Sequence, residues 1–234
     1  MWIDNQVIDQ CEQQLVVKVW VPEQVCVVLG RSNKATVEVR EQHCLDDRVP
    51  ILQRKGGGGT VVLHPGCVVL SAGMWVRDYY KNQNYFEYLN SSVIDVLSVF
   101  AAAPSHVLSQ NGISDITLNG KKIVGTSLFR SRHYLLYQAS LLVDARIDCI
   151  EKYLNHPSKE PEYRRGRPHR QFVTGLHQEC YTEKTVQEVS FSFYKLWKLA
   201  VHERMEQHLV EPLPSQMRHH DSSIQSSVST CRGS

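Results

Sequence analysis

The dipeptide Asn119–Gly120 separates two segments in which polar and apolar residues alternate, Ile113–Leu118 and Lys121–Phe129. Asn-Gly between such segments is the strongest short-range signal for a β-hairpin, because both turn residues adopt positive φ. The chain is therefore expected to contain an antiparallel pair of strands at this point. Successive strand residues face opposite sides, so either Lys121 or Lys122 must point toward the core side or a pocket.

The remaining elements are predicted from apolar runs and their periodicity. Apolar residues recur at helical spacing over 85–103, and 182–209 predicts a long amphipathic helix with Thr182 or Thr185 as its N-cap. Further strands are predicted at 14–20, 25–30, 50–54, 60–64, 68–76 and 134–143, a short helix at 147–153, and a long loop at 155–172. This order predicts an α+β fold in which helices cover an antiparallel or mixed sheet.

Length and composition limit the classes of protein to which the chain can belong. Its 234 residues are 42% hydrophobic, enough for one core, and the net charge is +2. We predict one domain over 1–210 and a disordered, serine-rich tail over 211–234. The balanced charge, the absence of a signal peptide and the lack of an apolar run of ~20 residues predict a cytoplasmic protein. We expect it to bind neither nucleic acid nor membrane.

The seven cysteines do not form a recognisable metal-binding or disulfide pattern. No two are spaced as a CxxC pair, so the ligand spacing of a zinc site is absent and no metal site is identified. An odd count in a chain of this size argues against a disulfide framework. Most are expected to be small buried hydrophobic residues. Cys67, near the glycine run described next, is interpreted as a strand residue.

Four consecutive glycines, Gly56–Gly59, lie in the sequence RKGGGGTVVLHPG at residues 54–66. Glycine loses more backbone freedom on folding than any other residue, so this run is costly. It is typical of a segment whose N–H groups must approach a ligand, and successive N–H groups in a turn bind anions. Arg54 and Lys55 add charge suited to phosphate or carboxylate. A flexible loop with a solvent-exposed basic pair explains these residues equally well. The segment is not a phosphate loop of the GxxxxGK(S/T) type, because no Lys-Ser/Thr follows the glycines.

The hairpin sequence DITLNGKKIVGTS, residues 115–127, contains a second group of candidates. A lysine held at the start of a strand can pair with charge that develops on a phosphate or carbonyl oxygen. Asp115 could meet that lysine across the hairpin, and Gly125 marks a close approach of backbone or ligand. Taken alone, a solvated lysine pair at a turn is the better explanation. A third segment, VVLGRSNKATVEV at 27–39, is a weak signal by itself.

Together these segments resemble the lipoate–protein ligase family. VVLGRSNKATVEV, RKGGGGTVVLH, SDITLNGKKIVGTS and YQASLLVD occur in the family's order and spacing, and the resemblance covers residues 25–176. It implies an α+β catalytic domain with a curved mixed sheet, similar to biotin ligases and octanoyltransferases. It also implies a short form without the accessory C-terminal domain of larger members.

The resemblance implies an ATP-dependent ligase with two half-reactions. Lipoate or octanoate and Mg-ATP would give an acyl-adenylate, which the lysine of a lipoyl carrier domain would then attack. The implied cofactors are ATP and Mg²⁺. The implied partner is a lipoyl carrier domain, such as an E2 subunit or a glycine-cleavage H-like protein. The need for an accessory subunit is left open.

Individual residues can be matched to the family pattern. Lys122 matches the catalytic lysine, which would contact the acyl carbonyl and the α-phosphate, and Asp115 would orient it or accept the proton of the incoming amine. The residues expected to bind substrate and ATP are Arg31, Arg54, Gly57, Gly58, Gly59, Thr60, His64, Gly125 and Thr126. The acyl chain is expected to lie along strand residues such as Val62 and Leu70.

Two departures from the family pattern keep other functions open. Ser114 and Gln138–Ala139 stand where the family has Asn and His-Gly. One alternative is an octanoyl or lipoyl transferase that needs no ATP, but it would require a cysteine thioester. The three family cysteine locations fall at about Phe100, Gln110 and Leu135. The other alternative is a non-catalytic paralogue that binds a lipoyl carrier protein. A biotin ligase is disfavoured, because RKGGGG replaces that family's GRGRxGR-like loop.

Overall fold

The computed structural model describes residue 7 and residues 14–77, 82–103 and 105–211. Its strands are β1 (Leu15–Trp20), β2 (Cys26–Leu29), β3 (Ile51–Gln53), β4 (Val61–Leu63), β5 (Cys67–Trp75), β6 (Leu108–Asn111), β7 (Asp115–Leu118), β8 (Lys121–Ser131) and β9 (Tyr134–Leu142). Its helices are α1 (Ala35–Glu38), α2 (Glu41–Asp46), α3 (Asn82–Ser98), α4 (Ile147–Tyr153), α5 (His169–Phe172) and α6 (Val186–Met205). Short 3₁₀ turns cover Glu162–Arg164 and Glu206–His208.

Two sheets carry the fold. The larger has the strand order β1-β5-β9-β8-β7-β6 and is antiparallel throughout. The smaller has the order β3-β2-β4, in which β2 pairs with β3 in parallel and with β4 antiparallel. The predicted hairpin joins β7 to β8, and its turn residues Asn119 and Gly120 have φ of 51° and 79°. The predicted helix-covered α+β architecture is confirmed.

The two faces of the larger sheet bury different partners. On β5, Leu70, Ala72 and Met74 belong to the main core, which α3 and α6 complete on that face. The alternate residues of β5 face the opposite side, where Val69 packs with β2 and β4 and Trp75 packs with β8 and β9. A strand buried on both faces reads as a continuous apolar run, because neither side of it meets water.

Several elements differ from the prediction. β6, α1 and α2 were not predicted, because they are short and lack a clear apolar period. α5 lies within the predicted loop 155–172. Of the two proposed caps for α6, Thr185 begins the helix, in a capping box with Glu188. The predicted disordered tail lies outside the described residues, except for Glu211. No helix in the described part of the chain is long and apolar enough to cross a bilayer.

His64 is fully buried and contributes an acid-sensitive element to the fold. Its Nδ1 accepts a hydrogen bond from the Gly66 N–H at 3.0 Å, and its Nε2 has no partner among the described residues. Burial lowers the pKa of His64 to about 4. The unfolded chain, with a histidine pKa of about 6.5, therefore binds more protons between these values. Stability is lost as the pH falls through this window.

Changing the pH from 7 to 5 is therefore expected to cost the wild type roughly 2 kcal/mol of unfolding free energy through His64. His64→Asn, whose side-chain oxygen can accept the Gly66 hydrogen bond, should lose correspondingly less over the same interval. Urea unfolding at the two pH values measures both changes. His202→Asn, at an exposed position on α6, serves as the control and should retain the wild-type pH dependence. Equal losses in all three proteins would contradict the assignment.

Candidate active site

A cleft of about 570 Å³, partly open to solvent, lies between the glycine loop with β4 on one side and β8 with β9 on the other. Seven of the residues predicted as site residues line it: Arg54, Gly59, Thr60, Asp115, Lys122, Gly125 and Thr126. Ser114 and Gln138, the two departures from the family pattern, line it as well. The structure thus brings the glycine run and the hairpin lysine to one place, as the sequence predicted.

Lys122 is held against Asp115 across the β7–β8 hairpin. The Lys122 Nζ lies 2.7 Å from Asp115 Oδ1, and the two side chains are 25% and 8% exposed. Gly125 leaves room for this arrangement, since an added Cβ would lie 3.0 Å from the Lys122 Cε and the lysine side chain would have to shift. Lys121 points to the other face, where its Nζ contacts Glu179 at 2.9 Å and its side chain is 46% exposed. The prediction that one of the two lysines enters a pocket is confirmed, and that lysine is Lys122.

Tyr163 is a member of this site that the sequence analysis missed. Its hydroxyl donates to Asp115 Oδ2 at 2.7 Å, so both carboxylate oxygens have a partner. Its ring packs on Phe172 with centroids 5.1 Å apart, and Arg167 Nη2 donates to its carbonyl at 2.9 Å. Burial, with a contribution from Asp115, raises the pKa of Tyr163 well above its usual value. The phenol therefore stays protonated and remains a donor.

Arg54 determines the shape of the glycine loop. It is 8% exposed, and its Nη2 donates to the carbonyls of Gly57 and Gly59, each at 2.7 Å. The loop also packs closely on the end of β2, because a Cβ at Gly30 would lie 2.1 Å from the Gly58 carbonyl oxygen. Gly58 has a φ of 88°, which favours glycine. Gly57 and Gly58 therefore form the loop, while Gly59 faces the cleft.

Besides Gly57 and Gly58, two more of the predicted site residues lie outside the cleft lining. Arg31 is exposed, and its backbone N–H donates to the Gly56 carbonyl at 2.9 Å, so its visible contact is with the loop. His64 is buried beside Gly66, as described above. The roles predicted for these two residues in binding stay predictions.

The apolar wall of the cleft differs from the prediction by one residue on each strand. It is formed by Val28, Val61, Leu63 and Val69. Val62 and Leu70, which the sequence analysis assigned to the acyl chain, instead belong to the two larger hydrophobic cores. Side chains alternate along a strand, so a choice that is wrong by one residue selects the opposite face.

Comparison with known protein families shows to which family the chain belongs. The family described as the lipoyl protein ligase A/B catalytic domain matches residues 3–195. The chain belongs to this family.

Curated relatives of the chain carry ligase names. It is 28% identical over 136 residues to a probable lipoate-protein ligase A of Mycoplasma genitalium, covering 55% of this chain and 37% of that protein. It is 25% identical over 138 residues to lipoate–protein ligase 2 of Staphylococcus aureus, covering 57% and 38%. The inactive lipoate–protein ligase 2 of Plasmodium falciparum is 22% identical over 192 residues, covering 67% and 50%. The chain thus spans at most half the length of these relatives.

Solved structures confirm the fold. A bi-partite lipoate protein ligase, studied with its E2 lipoyl domain, from Thermoplasma acidophilum superposes with a TM-score of 0.68 at 17% identity. The match covers 85% of this chain and 80% of that one. A lipoate-protein ligase A bound with ATP gives a TM-score of 0.69 at 18% identity, covering 85% and 78%. At these sequence identities the structural similarity establishes the fold alone. The reaction has to be inferred from the residues of the site.

Proposed function

We propose that the protein activates lipoate or octanoate with ATP and transfers the acyl group to a lysine of a lipoyl carrier domain. The observation that carries the proposal is the position of Lys122, whose ammonium group lies inside the cleft that the Arg54-held glycine loop borders. A preorganised cation in a site shielded from water stabilises charge that develops during reaction. The ATP-bound and lipoyl-domain-associated structural relatives are consistent with this chemistry.

In the first half-reaction, a carboxylate oxygen of the acid attacks the α-phosphorus of ATP and pyrophosphate leaves. Lys122 would bridge the acid oxygen and an α-phosphate oxygen, which reduces the repulsion between two anions. Backbone N–H groups of the glycine loop would face the phosphates. The acyl chain would lie against the apolar wall defined above, which excludes water from the reactive anhydride.

In the second half-reaction, the neutral amine of the carrier lysine attacks the acyl carbon. A carbon–nitrogen bond forms, the bond from carbon to the phosphate oxygen breaks, and AMP leaves with the electron pair. Asp115, a carboxylate that lines the cleft, is proposed to accept the amine proton. Lys122 would stabilise the oxyanion on the acyl carbon.

Magnesium would enter this site with ATP rather than through a dedicated set of protein ligands. The described residues contain no group of three or more His, Cys, Asp or Glu side chains that could hold a metal ion. A magnesium ion that arrives with ATP keeps water and phosphate ligands readily, so Mg²⁺ would be held by the triphosphate.

The thioester alternative finds no support in the cleft. The described residues that line it include no cysteine. Cys67 is fully buried, and burial raises the pKa of its thiol to about 12, which leaves no thiolate to act as a nucleophile. Phe100 and Leu135, at two of the family's cysteine locations, are part of the main core.

Lipoate-dependent exchange of labelled pyrophosphate into ATP tests the proposal. The protein should support exchange with lipoate or octanoate, and should then modify a purified lipoyl domain by the mass of one acyl group. Modification from an acyl-carrier donor without ATP would establish the transferase instead. Binding of a lipoyl domain with neither exchange nor modification would establish the non-catalytic paralogue.

Removing the phenol hydroxyl that contacts Asp115 should impair this reaction without abolishing it. In Tyr163→Phe the ring contact with Phe172 is kept, but Asp115 Oδ2 loses its donor and the carboxylate can rotate. We expect kcat for pyrophosphate exchange to fall about tenfold, since one hydrogen bond to a charged group is worth about 1.5–3 kcal/mol. Tyr194→Phe, an exposed tyrosine on α6, should behave as wild type. An unchanged kcat in Tyr163→Phe would show that Asp115 is held without it.

A further inference from the structure

Asn90 is a fully buried asparagine on α3 that contacts two strands of the larger sheet. The Tyr137 hydroxyl on β9 donates to Asn90 Oδ1 at 2.8 Å, and Asn90 Nδ2 donates to Gln110 Oε1 on β6 at 3.0 Å. The residue is 0% exposed and does not line the cleft. A buried amide destabilises a fold unless it is hydrogen-bonded. Both ends of this amide have a partner, so Asn90 connects β9 and β6 to α3 in one defined arrangement.

Gln110 extends this arrangement to the turn between β6 and β7. Its Oε1 accepts from Asn90, and its Nε2 donates to the Ile113 carbonyl at 3.1 Å. The two hydrogen bonds depend on each other, because an amide whose oxygen faces Asn90 has its NH₂ group left to face Ile113. β6 is the last strand of the larger sheet, and Gln110 is half-buried there. The pair of amides therefore connects the turn at an edge strand to a helix of the core.

The turn leads directly into the cleft. Ile113 is followed by Ser114, whose carbonyl accepts from the Thr126 N–H at 3.1 Å and from Thr126 Oγ1 at 2.5 Å. Two successive carbonyls of the turn are thus held, one by Gln110 of β6 and the other by β8. The next residue, Asp115, begins β7 and has its Oδ1 at 2.7 Å from the Lys122 Nζ. A shift of the turn would therefore displace this carboxylate first.

We propose that Asn90 and Gln110 are positioning residues, which set the place of the Asp115 carboxylate relative to Lys122 without contacting substrate. This rests on the proposed function, because the reaction is the one proposed for that charge pair. A displacement of about 1 Å at a reacting group can lower a rate about a hundredfold. The pair can thus be displaced while the chain stays folded and the substrates still bind. Loss of either amide should lower kcat and leave the KM values for ATP and lipoate nearly unchanged.

Gln110→Met tests the contact with the turn. Methionine matches the length of glutamine but cannot donate to the Ile113 carbonyl, and the position is half-buried. We expect kcat for lipoate-dependent pyrophosphate exchange to fall about tenfold, the scale of one lost hydrogen bond. Val96→Ala, in the buried face of α3, should lower the melting temperature but leave kcat unchanged where both proteins are folded. Equal losses of kcat would overturn the proposal, because general loosening of the core would explain both.

Asn90→Ala tests whether the helix acts through Gln110. If it does, the double variant with Gln110→Met should lose no more kcat than the larger of the two single losses, since both remove the same support. Losses that multiply would overturn the path through Gln110. If Asn90→Ala does not fold, Tyr137→Phe takes its place in the same cycle, because it removes only the hydroxyl that donates to Asn90 Oδ1.

Amide hydrogen exchange at Thr126 gives a measurement that does not depend on activity. Its N–H donates to the Ser114 carbonyl, so it reports whether the turn stays against β8. In Gln110→Met this amide should exchange about tenfold faster, while the amides of the central strand β9 keep their rates. An unchanged rate at Thr126 would overturn the proposal. If the wild type shows no pyrophosphate exchange, the ligase function is refuted instead, and the Thr126 rate still decides whether Gln110 holds the turn.

Discussion

Replacing Lys122 with alanine is expected to lower the kcat of lipoate-dependent pyrophosphate exchange by about a hundredfold to a thousandfold, as removal of one charge-stabilising donor does in other enzymes. The Lys122 ammonium enters the cleft and contacts Asp115 at 2.7 Å. Without it, the acid carboxylate and the α-phosphate would approach each other with no cation between them. The measurement is steady-state exchange at saturating ATP and lipoate.

Lys121→Ala provides a matched control, because Lys121 is the adjacent residue on the same strand. Its side chain points to the opposite face and pairs with Glu179 at the surface, where an exposed ion pair contributes about 0–1 kcal/mol. We expect its exchange rate to stay within about twofold of wild type. Equal losses in the two variants would show that hairpin stability, rather than the ammonium in the cleft, supports the reaction.

The sequence predicted the parts of this site that depend on local pattern. The Asn119–Gly120 turn fixes the hairpin register, so it determines that one lysine faces the cleft. The glycine run fixes where a loop can approach a strand without side chains intervening. Both signals are local, because turn conformation and backbone freedom are properties of a few consecutive residues.

Features that depend on long-range packing were not predictable in this way. Tyr163 reaches Asp115 from a segment 48 residues away, and no local pattern distinguishes it from other loop tyrosines. The acyl wall was assigned to the wrong strand face, because β5 is apolar on both sides and gives no alternation to read. The alignment of Ser71, Gln138 and Ser127 across the sheet is visible only after the β5–β9–β8 register is known.

Arg54 is expected to support activity by holding the glycine loop in its conformation as well as by its positive charge. Arg54→Met keeps much of the apolar length of the side chain but removes the donors to Gly57 and Gly59. We expect kcat/KM for ATP to fall about a hundredfold, because a charged donor group worth about 1.5–3 kcal/mol is lost at a loop that must meet phosphate. These glycines are exposed, so water can take over their carbonyls, and the fold should persist in thermal unfolding.

Two further substitutions separate the effect of shape from that of charge. Arg54→Lys keeps the positive charge but lacks the planar guanidinium fork that reaches two carbonyls at once, so it should lose most of the same activity. Lys55→Met removes the neighbouring charge, whose Nζ lies over the Phe129 ring at 5.6 Å, and should cost little. If Arg54→Lys were as active as wild type, the guanidinium would act only as a cation. A loss of activity in Arg54→Lys would show that the geometry of the loop depends on the two hydrogen bonds that the guanidinium donates to Gly57 and Gly59.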